Sequence, residues 1–329
     1  MSPTSSLFVY AIATCVAAFT QGCGEVRPAA PPLSAPLDAG VSYPSSAAYD
    51  AHAGALLVGS YADGSIKRVP TSEETRRPDL PALPHDGREH VLRIRIDTFR
   101  QRIWVLASDG LYLYDSTSSQ LTRRIPIGAL SQHSNEHCLP DMALTRSGSV
   151  FVSSAMQTSL LHVDAQSLEV TLHEVQVDSD QGKDFGFSAL TFAGDDDRLY
   201  AASATTGALW RVDPVAKRAK KIPLSYPIWG ACALHAAPPG TRGSESRTDQ
   251  VLYVAGGFRD SVQRVEVSAT DLPSRVTTVQ MKRPLIVPTG FALVEHKLLI
   301  VNSRLSQLPD FNGDGKSNHP FTIVPIPTP

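Results

Sequence analysis

Charge in excess is one thing the sequence lacks. Its 329 residues carry 30 Lys and Arg against 32 Asp and Glu, a formal net charge of −2. With no basic surplus there is no electrostatic footprint for phosphate backbones, and nucleic acid drops out as a partner. Cysteine is scarce: four residues, two of them near the N-terminus, too few for a disulfide scaffold. Also absent are Gly-x-Ser-x-Gly, His-Glu-x-x-His, Cys-x-x-Cys, a P-loop and a dinucleotide fingerprint. Those gaps exclude nucleophile-elbow hydrolases, zincins and nucleotide enzymes, though not atypical triads. No stretch after residue 45 sustains a helical period over three turns. Apolar material is plentiful, at 42% hydrophobic against 19% charged, with 25 Pro and 22 Gly. The chain is too apolar for disorder. Its length suits either two average domains or one large closed β fold.

Residues 7–22, LFVYAIATCVAAFTQG, are apolar or small and uncharged. The run is short for a membrane span and suits the hydrophobic region of a signal peptide over residues 1–22. Thr20-Gln21-Gly22-Cys23 is similar to a bacterial lipoprotein cleavage site, where a small residue precedes the Cys that is lipidated. Neither a Leu three before Cys23 nor a basic residue before Leu7 is present, so an ordinary cleaved secretory peptide stays open. Residues 23–42 are rich in Pro and Ala and read as a semi-extended tether. The expected address is the bacterial cell envelope, periplasmic or surface, with a lipid anchor as the only membrane contact; otherwise the chain is secreted.

A repeat organises the remainder, residues 43–329. Six short apolar runs end in small or polar residues at Ser60, Ser108, Ser154, Ser203, Gly256 and Asn302, spaced 48, 46, 49, 53 and 46 apart. In three of the units another strand ends ten residues on, at Asp164, Asp213 and Glu266; in the second unit it ends after seven, at Asp115. A third apolar segment precedes each run, as in Leu92–Ile96 and Met142-Ala143-Leu144, and a polar fourth strand follows most of them. Four short antiparallel strands per unit of about 48 residues mean a β-propeller. The expected fold is all-β, a six-bladed propeller of four-stranded blades. Residues 236–249 read as a surface insertion. The sixth unit supplies three strands, and a strand from residues 33–42 is expected to complete it.

The repeat resembles the six-bladed family of gluconolactonases, regucalcin and related lactonases and esterases. The resemblance rests on Tyr43-Pro44 with Ala48-Tyr49-Asp50 and Leu56–Ser60, on Leu139-Pro140-Asp141-Met142-Ala143-Leu144 with Gly148, and on Val301-Asn302-Ser303-Arg304-Leu305 with Pro320–Val324. It implies one divalent cation on the propeller axis, held by Glu, Asn and Asp from the loops that open the blades, and polarising a lactone carbonyl. Here those positions fall on Ser45 or Ser46, Asp141, Ser188, the Pro227–Gly230 turn and Thr289. Hydroxyls without balancing carboxylates are weak ligands.

Other candidates sit on the same loops. Glu136, His137 and Asp141 lie within six residues of one another, a set able to bind a metal or move protons, or else a solvated loop with one buried turn Asp. Lys183, Asp184, Trp229, Asn302 and Arg304 occupy corresponding places and offer a ligand pocket with one aromatic wall. Asp310, Asn312 and Asp314, with Gly315, match the start of a Ca²⁺ loop but lack its closing Glu; the alternative is a plain turn. Calcium is therefore the one cofactor in view. Cys138 and Cys232, on blades that are not neighbours, read as two buried free thiols; the alternative, permitted by export, is a disulfide formed where their loops meet across the mouth. The sequence expectation is a monomer that binds a small polar molecule or a protein at the axial mouth. The alternative is a metal-dependent lactone or ester hydrolase with a rearranged site.

Overall fold

Strand-forming segments in this chain alternate between two buried faces, as each sheet of a closed ring must. The segment Gly110–Asp115 shows it: Leu111 and Leu113 pack in a cluster shared with the next blade, Tyr112 and Tyr114 in one shared with the preceding blade. Burying each of those leucines contributes about 1.5–3 kcal/mol. The computed structural model describes residues 36–72, 83–127, 138–154, 156–178, 185–193, 198–237, 241, 243, 248–317 and 319–327.

The described strands form six sheets, the expected propeller. Blade one holds β2 (Pro44–Asp50), β3 (Ala55–Ser60) and β4 (Ile66–Pro70). Blade two holds β5 (Val91–Asp97), β6 (Arg102–Ala107), β7 (Gly110–Asp115) and β8 (Leu121–Ile125). Blade three runs from β9 (Met142–Leu144) through β10 (Val150–Ser154) and β11 (Gln157–Val163) to β12 (Val170–His173). Blade four comprises β14 (Ala189–Ala193), β15 (Arg198–Ala202), β16 (Leu209–Asp213) and β17 (Arg218–Ile222), with the short β13 (Gln176–Asp178) added parallel to β17. Blade five comprises β18 (Ala231–Ala236), β19 (Thr248–Gly256), β20 (Ser261–Ser268) and β21 (Arg275–Thr278). Blade six has β22 (Pro288–Val294), β23 (Lys297–Asn302) and β24 (Thr322–Pro325).

The innermost strands touch in a closed circuit: β2 against β5, then β9, β14, β18, β22 and β2 again. The seam is made by β1 (Leu37–Asp38), which pairs antiparallel with β24, Leu37 opposite Ile323. Chain start and chain end thus share blade six, which covers an edge that would otherwise stay unpaired. Between successive blades lie apolar clusters, such as Tyr200 and Leu209 of blade four with Leu234 and Val254 of blade five. The repeated acid closing the third strand has a local cause. Asp115, Asp164 and Asp213 each accept two backbone N–H groups of the following turn through Oδ1, the Asx geometry that starts a hairpin.

One face of the ring carries the starts of the inner strands together with the loops that follow the second strands. That face is the mouth. The blade-six loop, residues 303–321, lies against blade one there: Phe311 meets Tyr61 edge-on at 5.4 Å, and Phe321 meets Tyr43 at 4.7 Å.

Candidate functional site

Arg93 and Arg95 stand two apart on β5, so both project from the same side of the innermost strand. Arg93 is 1% exposed and donates from each of its three nitrogens: Nε to Asp141 Oδ1 and Nη2 to the Cys232 carbonyl, both at 2.7 Å, and Nη1 to the Leu92 carbonyl. One guanidinium therefore crosses the axis from blade two to blades three and five. Arg95 donates to the same Asp141 oxygen at 3.3 Å. Burial pulls the Arg95 pKa down, the Asp141 charge opposes that, and Arg93 adds to it. Asp141 is fully enclosed and also accepts the backbone N–H groups of Met142 and Leu190. Its carboxylate binds blades two, three and four together.

The remaining positions at which the family resemblance implies metal ligands are occupied in a comparable way. Ser45 Oγ donates to the Val91 carbonyl of blade two, Ser188 Oγ to Ala231 of blade five, and Thr289 Oγ1 to Ser45 of blade one. Ser46 Oγ accepts from Ile94 N–H. All four are at most 2% exposed. Each hydroxyl bonds a neighbouring inner strand, and the one carboxylate among these positions is saturated by two guanidiniums. These residues do not fit an axial divalent cation. Among the described residues, no group of three His, Cys, Asp or Glu side chains is gathered to hold a metal.

The reading of Cys138 and Cys232 as free thiols is corrected: they form a disulfide, with Cα atoms 4.7 Å apart across a sequence separation of 94. Blades three and five are not adjacent at the rim, yet their opening loops converge at the axis, where the distance between any two blades is small. The bridge lies directly above the Arg93 contact to Cys232.

His235 on β18 matches Arg95 in register, since each is the third pair beyond the strand-start bulge. Its Nδ1 contacts the Ala236 carbonyl, and the ring meets Phe291 edge-on at 6.1 Å. Burial, reinforced by Arg95, lowers its pKa to about 4 against the bond to Ala236 and the Asp141 charge. The native state thus holds His235 neutral, while the unfolded chain takes up a proton near pH 6.5. Stability is complete above that value and is lost as the pH falls from 6.5 towards 4, by as much as about 3 kcal/mol. Urea unfolding at pH 7 and pH 4.5 measures it. In His235→Leu the difference between the two pH values should shrink; an unchanged difference would assign the slope to other groups.

Of the other sequence candidates, Glu136, His137, Lys183, Asp184 and Cys23 lie outside the described residues. Trp229 is 38% exposed at the mouth, packed beside Gly207. Asn302 is buried, and its Oδ1 accepts Ile286 N–H, which fixes the loop entering blade six. Asp310, Asn312 and Asp314 are exposed in the blade-six loop, where Asp314 accepts Lys316 N–H. Asp310 lies close enough to Tyr61 to act on its phenol, which burial first and that charge second push up to about 12.

Arg304 differs from all of these. It follows β23 on the mouth face, held in the left-handed region at φ 61° with its N–H bonded to the Ile286 carbonyl. The residue is 8% exposed, yet Nε and Nη1 are buried without any hydrogen-bond partner. Burial lowers its pKa. The Ser303 hydroxyl, the Gln307 side-chain carbonyl and the Tyr43 phenol, all on this face, are buried and unpartnered too. Two hydroxyls free to donate and a guanidinium with free nitrogens on one face offer the donors of an anion site, with the Gln307 carbonyl left to accept from a hydroxyl of the same ligand.

Sequence reasoning missed Arg93, Arg95 and His235. The signal was there in Leu92-Arg93-Ile94-Arg95-Ile96: two arginines on one face of an innermost strand have no solvent to face.

No family model matches the chain, and neither does any curated protein. Solved structures do. The major Malassezia sympodialis allergen Mala s 1 superposes with a TM-score of 0.62 at 14% identity, over 90% of this chain and 96% of the allergen. Regucalcin from Agrobacterium tumefaciens, a calcium-binding protein, gives 0.57 at 14%, over 89% and 95%. An auxiliary nutrient binding protein from Bacteroides thetaiotaomicron gives 0.55 at 12%, over 79% of this chain and 66% of that one. At these identities the likeness is one of fold.

Proposed function

We propose that this is an exported, lipid-anchored propeller that binds a small polar molecule carrying an anionic group, such as a sugar acid, at its axial mouth. The observation that carries the reading is Arg304, a buried guanidinium with two unpartnered nitrogens among other unmet polar groups of the same face. A buried charge is retained where something pairs with it. A carboxylate can accept from Nε while another oxygen of the same ligand, such as a sugar hydroxyl, accepts from Nη1 on the opposite edge of the guanidinium. The resemblance to gluconolactonases suggests sugar-derived ligands, and a nutrient binding protein shares the fold. Calcium binding, a property of the regucalcin neighbour, is not carried over to the axis, because Asp141 is already neutralised by arginine. The disulfide suits an oxidising compartment, in keeping with the leader-like residues 1–22 and with Cys23 as the acylated residue.

Isothermal titration of the mature protein with gluconate, glucuronate and short carboxylates tests the site. At least one should bind, and Arg304→Gln should weaken it ten-fold or more while leaving the fold intact; equal affinity in both proteins sinks the proposal. Stoichiometric bound metal together with lactone turnover lost on chelation would favour a hydrolase instead. Cys23→Ser should move the protein from the membrane fraction to the soluble one, and retention in the membrane would remove the anchor.

A further inference from the structure

A second site lies away from the mouth, in the groove between the outer strands of blade four and the loop joining β20 to β21 in blade five. There the structure has a cavity of about 380 Å³. Four cationic residues line it, Arg198, Arg211, Lys220 and Lys221, against two acids, Asp249 and Asp271. Lys220 lies opposite Arg211 in register and shares its face of the sheet, whereas Lys221 lies opposite Trp210 and sends its side chain to the other face. In a chain whose net charge is −2, that is a local concentration of positive charge among the described residues.

The charges are not all spent on one another. Arg198 and Arg211 both donate to Asp249 Oδ2, so a single carboxylate oxygen serves two guanidiniums. Arg211 remains 44% exposed at its side chain. Among the described residues Lys220 and Lys221 make no ion pair. The lining also has an apolar part, with Pro223, Val267 and Leu272, the last 54% exposed.

The groove is also held in shape. Ser274 N–H donates to the Pro223 carbonyl, Ser225 N–H to the Ser274 carbonyl, and Ser225 Oγ accepts from Val276 N–H. These bonds lace the segment entering blade five to that blade's outer loop. A preformed cavity of this size takes a small organic molecule, not a bare ion.

From Lys220, the exposed guanidinium and the apolar lip we infer that this groove binds a small organic phosphate monoester. The Lys220 ammonium acts as a point charge on a tetrahedral dianion, Arg211 supplies directed hydrogen bonds, and the apolar lip covers the ester's organic part. The site shares no residue with the mouth and stands whether or not Arg304 binds a carboxylate.

The test uses the full mature protein and phenyl phosphate as probe, followed by calorimetry at low salt. Binding is expected, with phenol and inorganic phosphate each at least ten-fold weaker. Lys220→Gln should lose ten-fold or more in affinity at an unchanged melting temperature, since the lysine is exposed. Lys221→Gln, on the other face of the strand, and Arg304→Gln should leave phenyl phosphate binding as it was. Absence of binding at millimolar concentration, or equal affinity in Lys220→Gln, overturns the inference. Vesicles containing phosphatidic acid form a second arm: capture by vesicles without binding of soluble phenyl phosphate would overturn it in favour of a lipid headgroup.

Discussion

Asp141→Ala is expected to lower the free energy of unfolding by about 3–5 kcal/mol, the cost of removing one partner from a buried ion pair. The figure follows from what is left behind. Arg93 is 1% exposed and Asp141 fully buried, so the substitution strands a buried guanidinium and also takes from Arg95 the carboxylate it meets among the described residues. It also removes the acceptor of the Met142 and Leu190 amides, and with the latter a bond between blades three and four. Urea denaturation measures the loss. Arg93→Met/Asp141→Leu should recover much of it, because an apolar pair of similar volume needs no charge compensation. A loss below about 1 kcal/mol in the single variant, within the range of exposed pairs, would mean that the axis is wet and the hub is not structural.

Breaking the Cys138–Cys232 bridge is expected to cost a similar amount. The bridge closes a loop of 94 residues, and a loop near 100 residues constrains the unfolded chain by about 4.7 kcal/mol in the chain-entropy account. That loop takes in blade four entirely. Reduction should therefore lower the melting temperature of the parent, and Cys138→Ser/Cys232→Ser should melt at the reduced value whether or not reductant is present. If reduction moves the parent's melting temperature no further than it moves the double variant's, the two sulfurs are not bonded in solution.

The propeller was legible because its information is periodic along the chain. Runs ending at Ser60, Ser108, Ser154, Ser203, Gly256 and Asn302 recur at near-constant spacing, and residues 37–38 do complete blade six as the missing fourth strand required. The hub was not legible, because what happens at an axis is radial. Residues 93 and 141 stand one repeat apart, yet nothing in the repeat pairs an arginine with an aspartate or brings 232 to them; they meet only because six inner strands converge. Leu92–Ile96 alternates as a half-exposed strand would, and alternation cannot tell water from a polar hub. Ser45, Ser188 and Thr289 show a similar limit. Their hydroxyls are visibly poor ligands in the sequence, but the inter-blade bonds they make instead depend on partners 46, 43 and 244 residues away. Arg304 was picked out by position alone, and its unmet nitrogens needed coordinates.

The pairing of Leu37 with Ile323 sets an order of events. The pairing joins segments that lie far apart in the sequence, and contacts so distant form slowly. Until it forms, blade six keeps a raw edge and the ring is an open arc. The handshake is therefore expected among the last contacts that folding fastens, with the other blades already in place to bring its two halves together.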